Sequence, residues 1–194
     1  MTVLLGDEFA AVLAAAQAGD DRAVARIYRS LQPAVLAYLR VREPSEADDI
    51  AAQTWLEVAR AIGTFSGTEH NFRAFVFTIA RRRLLNARRS RARRRTDLVD
   101  DSDLAAMIHE HDDPAEQVAA RIDGASAIQR ITDLLRADQA EVVLLRIVAG
   151  LTVEEVAAIV GKRPVTVRVI QHRALEKLRT ELERSVTPPK SPGM

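Results

Sequence analysis

Residues 152–179 read TVEEVAAIVGKRPVTVRVIQHRALEKLR, and this stretch decides the fold. Thr152 with Glu155 three positions on is a capping box, which predicts a short helix to Val160. Gly161 stops that helix, and Pro164, suited to a first helical position, opens the last one, to about Arg184. A short capped helix, a glycine turn and a longer basic helix make a helix-turn-helix. On the last helix Val167, Ile170, Ala174 and Leu178 share one face at about 100° per residue and must pack on the preceding helices. Thr166, Arg168, Val169, His172 and Arg173 then face outward as candidates for base edges. Lys162, Arg163, Lys177 and Arg179 are candidates for phosphates. The plain alternative is an ordinary amphipathic hairpin; the caps, the turn and the basic outward face together favour DNA.

Working outward, the rest of the chain also reads as helix. Residues 7–18 are Ala-rich, Gly19 stops them, and Asp20 suits an N-cap. Residues 21–41 carry Val24, Ile27, Tyr28, Leu31, Val35, Tyr38 and Leu39 at helical spacing, and Pro33 predicts a kink or break near Gln32. Ser45 with Asp48 resembles a capping box for a helix to about Ile62. Asn71 can cap a long helix with Phe72, Phe75, Val76, Ile79 and Leu84 inside. Phe72 and Phe75 read as core, whereas Phe77 is open to core or to stacking on bases. Residues 96–113 read as a linker, 115–135 as a helix, and Asp138 as the cap of a helix to Gly150. The tail from Thr187 reads as disordered. The expected fold is all-α: a helical bundle over 7–95, a flexible acidic linker over 96–113, a helix-turn-helix domain over 114–185 and a tail over 186–194.

Composition excludes several classes. The absence of cysteine removes disulfides, thiolate metal sites and a Cys nucleophile. The longest apolar run, Phe9 to Ala16, is too short to span a bilayer, and Met1 to Gly6 lacks the basic start of a signal peptide, so a cytoplasmic location is expected. His109 and His111 beside Asp112 and Asp113 read as chance clustering in the linker, so no metal or cofactor is expected. The net charge of +1 hides segregation: residues 71–95 hold ten Arg and no acid, and residues 96–116 hold eight acids and no Lys or Arg. An Arg-dense helix suits a phosphate backbone through counterion release; a solvated helix face is the bland alternative.

At these motifs the chain resembles the extracytoplasmic-function sigma factors, small members of the sigma-70 superfamily. Asp49-Ile50-Ala51-Ala52-Gln53-Thr54-Trp55-Leu56 resembles the family's acidic region 2 stretch, and residues 72–81, FRAFVFTIAR, resemble its F-R-x-W-L-x-x-I-A-R stretch. Leu144 through Ala157, then Thr166-Val167-Arg168 and His172-Arg173-Ala174, resemble region 4. The resemblance spans residues 8–184. It departs at Ala52 and Gln53 (usually Gln-Glu), at Ala59 (an aromatic), at Arg82 and Asn86, at Val169 and Gln171, and at Arg163-Pro164-Val165, where a Ser cap is replaced.

The resemblance implies a transcription initiation factor and not an enzyme. It implies that Asp48, Asp49, Gln53, Trp55 and Glu57 face core RNA polymerase, at the clamp helices of its largest subunit. It places His70, Asn71, Arg73, Arg81, Arg82, Arg83 and Arg88 at the −10 element, to be recognised and melted. Region 4 would bind the polymerase flap and read the −35 element of promoter DNA. With no room left for a built-in sensor, an anti-sigma factor is the expected regulator. Two competing readings are an autonomous helix-turn-helix regulator and a helical adaptor whose Arg block binds RNA or acidic lipid.

Overall fold

The computed structural model describes residues 5–97, 128 and 133–186, and every regular element among them is helical. The helices are α1 (Phe9–Gln17), α2 (Asp21–Arg42), α3 (Ala47–Ala61), α4 (Glu69–Asp97), α5 (Ala137–Val143), α6 (Val153–Val160) and α7 (Pro164–Val186). α5 runs on into a π-helical turn, Leu144–Val148. The expected linker, the bulk of the 115–135 helix, the tail from Thr187 and the His109/His111 cluster lie outside the described residues.

α1 to α4 pack side by side around Ile27, Leu31, Val35, Tyr38, Leu39, Ile50, Phe72, Val76, Phe77 and Leu84, all buried. α7 packs on α5 and α6. The two halves share one apolar cluster, because Val142, Leu145, Ala149, Leu151 and Val156 join the residues of α1 to α4. Burying several such side chains, each worth roughly 1.5–3 kcal/mol, holds the halves together in this closed arrangement.

Several local expectations are met. The Asp20 carboxylate accepts from the backbone of Arg22 and Ala23. Thr152 and Glu155 close their capping box, and Gly161 takes a left-handed conformation, φ +69°, that a side chain would strain.

Others are corrected. Pro33 lies inside an unbroken helix: Leu31, Ala34 and Val35 are buried around it, and that packing overrides the lost backbone hydrogen bond. Ser45 caps nothing and instead accepts from Arg91 at 2.7 Å. α4 begins at Glu69, with Thr68 as the cap: its hydroxyl accepts from Asn71 N–H, while Asn71 Oδ1 reaches back to Thr68 N–H at 3.1 Å. Asp138 lies in the first turn of α5, and Arg136 takes the cap position, donating its N–H to Gln139. Phe77 is core, edge-on to Tyr38 at 5.8 Å, so it has no face to offer a base.

Candidate polymerase and nucleic-acid interfaces

Three surfaces carry the predicted residues. The first is α7. Val167, Ile170, Ala174 and Leu178 are buried as the spacing requires. Lys162, Arg163, Thr166, Arg168, Val169, His172, Arg173, Lys177 and Arg179 are all exposed. Arg168 Nη2 donates to Glu154 Oε1 at 2.8 Å, and both side chains are open to solvent. Such a surface pair is worth at most about 1 kcal/mol, so an arriving acceptor can replace Glu154. Arg146 braces the helix from behind, donating to Gln171 Oε1 at 3.1 Å and to the Leu151 carbonyl.

The second surface is α3 with the facing edge of α2. Asp48, Asp49 and Gln53 are exposed, and Asp48 lies 3.3 Å from Arg40. Trp55 is half-buried, donates its indole N–H to Gln32 and packs on Tyr28 with ring centroids 5.0 Å apart. Glu57 departs from this set, because it turns toward α4 to pair with Arg82 and Arg83. Val24, Tyr28 and Leu56 widen the surface with exposed apolar area. Val24 and Tyr28 were read from the sequence only as apolar positions at helical spacing, and Leu56 only within the region 2 resemblance. Spacing gave no signal, because Val24 and Tyr28 fall within the arc of the buried Ile27, Leu31, Val35 and Leu39.

The third surface is α4, and here the closed arrangement matters. Arg73 is 4% exposed, with Nε and Nη2 donating to the Ala149 carbonyl. Its burial lowers its pKa, opposed by the charges of Glu69 and Glu155. Arg81 donates to Glu141 Oε1 at 3.0 Å, and Arg88 pairs with Glu43 at 3.1 Å. His70 Nε2 lies 2.6 Å from Glu155 Oε2. Arg82 and Arg83 are taken by Glu57, and Asn71 is in its capping box. The structure therefore groups the −10 candidates on one helix, but engages each with a carboxylate, a carbonyl or a cap. Sequence reading found the Arg block and missed its partners, because Glu43, Glu57 and Glu141 lie far away along the chain.

Glu141 is the hub of the contact between the halves. It accepts from the Tyr38 hydroxyl at 3.2 Å as well as from Arg81, and Arg42 Nη2 stands 3.9 Å away. Arg42 Nη1 also donates to the Ala137 carbonyl at 2.6 Å.

The comparisons agree with this layout. The sequence pattern described as Sigma-70 region 2 matches residues 27–94, and that described as Sigma-70, region 4 matches residues 125–178. The chain is similar to the ECF RNA polymerase sigma factor SigD of Mycobacterium tuberculosis (strain ATCC 25618 / H37Rv), with 32% identity over 91% of this chain and 85% of the relative. It is also 32% identical to the ECF RNA polymerase sigma factor ShbA of Streptomyces griseus, over 86% of this chain and 91% of that protein. In fold it is similar to CnrH, solved in complex with the cytosolic domain of CnrY: the TM-score is 0.59 and identity 21%, covering 92% of this chain and 99% of that one. The sigma factor RpoE of Bartonella quintana, solved with the anti-sigma factor NepR, gives a TM-score of 0.59 at 23% identity, over 80% and 94% of the two chains.

Proposed function

Because the chain belongs to the extracytoplasmic-function sigma factors of the sigma-70 family, transcription initiation factors that direct RNA polymerase to promoters, we propose a division of labour among its three surfaces. The α2–α3 face, with Asp48, Asp49, Gln53 and Trp55 joined by Val24, Tyr28 and Leu56, docks on core polymerase. The start and basic stretch of α4, from His70 to Arg88, serve the −10 element. α7 reads the −35 element from Thr166, Arg168, Val169, His172 and Arg173, with Lys162, Arg163 and Lys177 on phosphates. Domain limits of 7–95 and 114–185 suit this division. The chain itself catalyses nothing; nucleotidyl transfer belongs to the polymerase.

The observation that carries this reading is that one chain holds two basic helical elements, Arg-rich α4 and the exposed face of α7, where DNA binding by a lone regulator would need one. The closed arrangement adds a condition: Arg73, Arg81 and His70 face the other half, so the halves must part before those side chains meet DNA. Core polymerase is the natural agent of that opening. An anti-sigma protein, of the kind that NepR is to the similar RpoE, is the natural agent of the reverse. No helix among the described residues is long and apolar enough to cross a membrane, which suits action in the cytoplasm. The test is promoter binding by the full chain with and without core polymerase. Specific binding only with core supports the reading; specific binding by the chain alone favours the autonomous regulator.

A further inference from the structure

The exposed face of α7 is cationic at its flanks and apolar at its centre. At about 100° per residue, Val165, Val169 and His172 lie within about 40° of the direction opposite the buried Val167–Ile170–Ala174–Leu178 stripe. Arg168 and Arg173 stand to either side of that line. Val165 is 61% exposed and Val169 44%, both in the first two turns of the helix. In a helix-turn-helix it is this N-terminal part that enters the major groove. Two branched apolar side chains therefore point at the groove floor, between the base-edge candidates Arg168 and Arg173 and beside Lys162 and Arg163, whose charge matches a phosphate backbone.

The major groove offers one strongly apolar feature, the C5 methyl of thymine. We propose that Val165 and Val169 read thymine methyl groups in the −35 element, making these two residues determinants of promoter specificity. The proposal rests on the reading of α7 as the −35 reader. It adds a geometric demand. The valines stand four positions apart, about 6 Å along the helix axis, close to two base-pair steps. The thymines they touch, on either strand, lie within two steps of one another. Neither valine is needed for folding, since both point away from the core.

The test separates the methyl from every other property of thymine. Uracil keeps thymine's hydrogen-bonding groups and lacks only the methyl. A promoter library randomised through the −35 segment is made twice, with thymine or with uracil confined to that segment. Holoenzyme built from core polymerase and the full chain then selects from each. In the thymine library a T is preferred at one or two positions within two steps. In the uracil library that preference falls about four-fold per position, the worth of one buried methyl. Val165→Ala and Val169→Ala each flatten one of these positions in the thymine library and leave the others unchanged, while Val→Ile at either site retains it. Equal preference in both libraries, or a selected motif without thymine, overturns the proposal. Selection by the chain alone, or no core-dependent enrichment from either library, instead brings down the sigma-factor reading of α7, and this proposal with it.

Discussion

Arg73 of α4 donates from Nε and Nη2 to the single carbonyl oxygen of Ala149, at 3.0 and 2.6 Å. The acceptor follows from the local backbone. The π-helical turn ends at Val148, Ala149 N–H bonds back to Leu144, and Leu151 N–H to Leu145. The Ala149 carbonyl is left among the orphan acceptors of a helix end, where the dipole favours a cation. Gly150, at φ +67°, lets Arg73 in: a Cβ there would stand 3.1 Å from Arg73 Nη2.

This contact predicts how the closed form is weakened. A charged hydrogen bond lost from a buried site costs roughly 1.5–3 kcal/mol. Arg73→Met should therefore loosen the halves, raising amide exchange in residues 144–151 and increasing the radius of gyration in solution. Gly150→Ala should act in the same direction through its positive φ. Unchanged exchange in both variants would mean that the contact does not hold the closed form.

Tyr38 supplies a pH signature of the same interface. Its burial, then the charge of Glu141, push its pKa above the ordinary phenol value of about 10, outweighing Arg42 and Arg81. A group whose folded pKa is raised contributes stability that is complete below the unfolded value and is lost as pH climbs toward the folded one. Native protein should keep Tyr38 neutral where phenols ordinarily ionise. The phenolate absorbance step near pH 10 should then be the same size in wild type and Tyr38→Phe. A smaller step in the variant would contradict the buried placement.

The polymerase face is tested by Asp49→Arg together with Trp55→Ala. Asp49 is exposed and Trp55 half-buried, so the helical circular dichroism should hold while capture of core polymerase falls at least ten-fold. A buried aromatic anchor at an interface is commonly worth 2 kcal/mol or more. Unaltered capture would remove this surface from the account.

On α7, Arg168→Ala or Arg173→Ala in holoenzyme should relax the preference at a definite −35 position by roughly 1–3 kcal/mol. Lys177→Ala should weaken all promoters about equally and lower the salt dependence. Arg168 gives up only a solvent-exposed pair with Glu154 to reach a base. Identical promoter rankings in wild type and both Arg variants would leave the helix an electrostatic role alone.

Much of this was legible in the sequence. The α6–α7 hairpin announces itself because its signals are local: a cap at Thr152, a stop at Gly161 and a stripe of four apolar residues all lie within one or two turns of their effects. The errors have the opposite character. Pro33 reads as a breaker because propensity is local, and distant packing overrules it. Phe77 reads as ambiguous because its partner, Tyr38, comes from another helix. The Arg block reads as free charge because Glu43, Glu57 and Glu141 reach it only after folding. Val24, Tyr28 and Leu56 look like core in a sequence, and only the packing of α2 on α3 leaves them outside.

The central claim, that this chain lends promoter choice to RNA polymerase, is tested most directly by reconstituted transcription. Core polymerase is supplied with genomic DNA fragments, with and without the full chain, and transcript starts are mapped. The account predicts a set of starts that appear only when the chain is added and share two sequence elements upstream. Starts that are the same with and without the chain, or that only diminish when it is added, would contradict it.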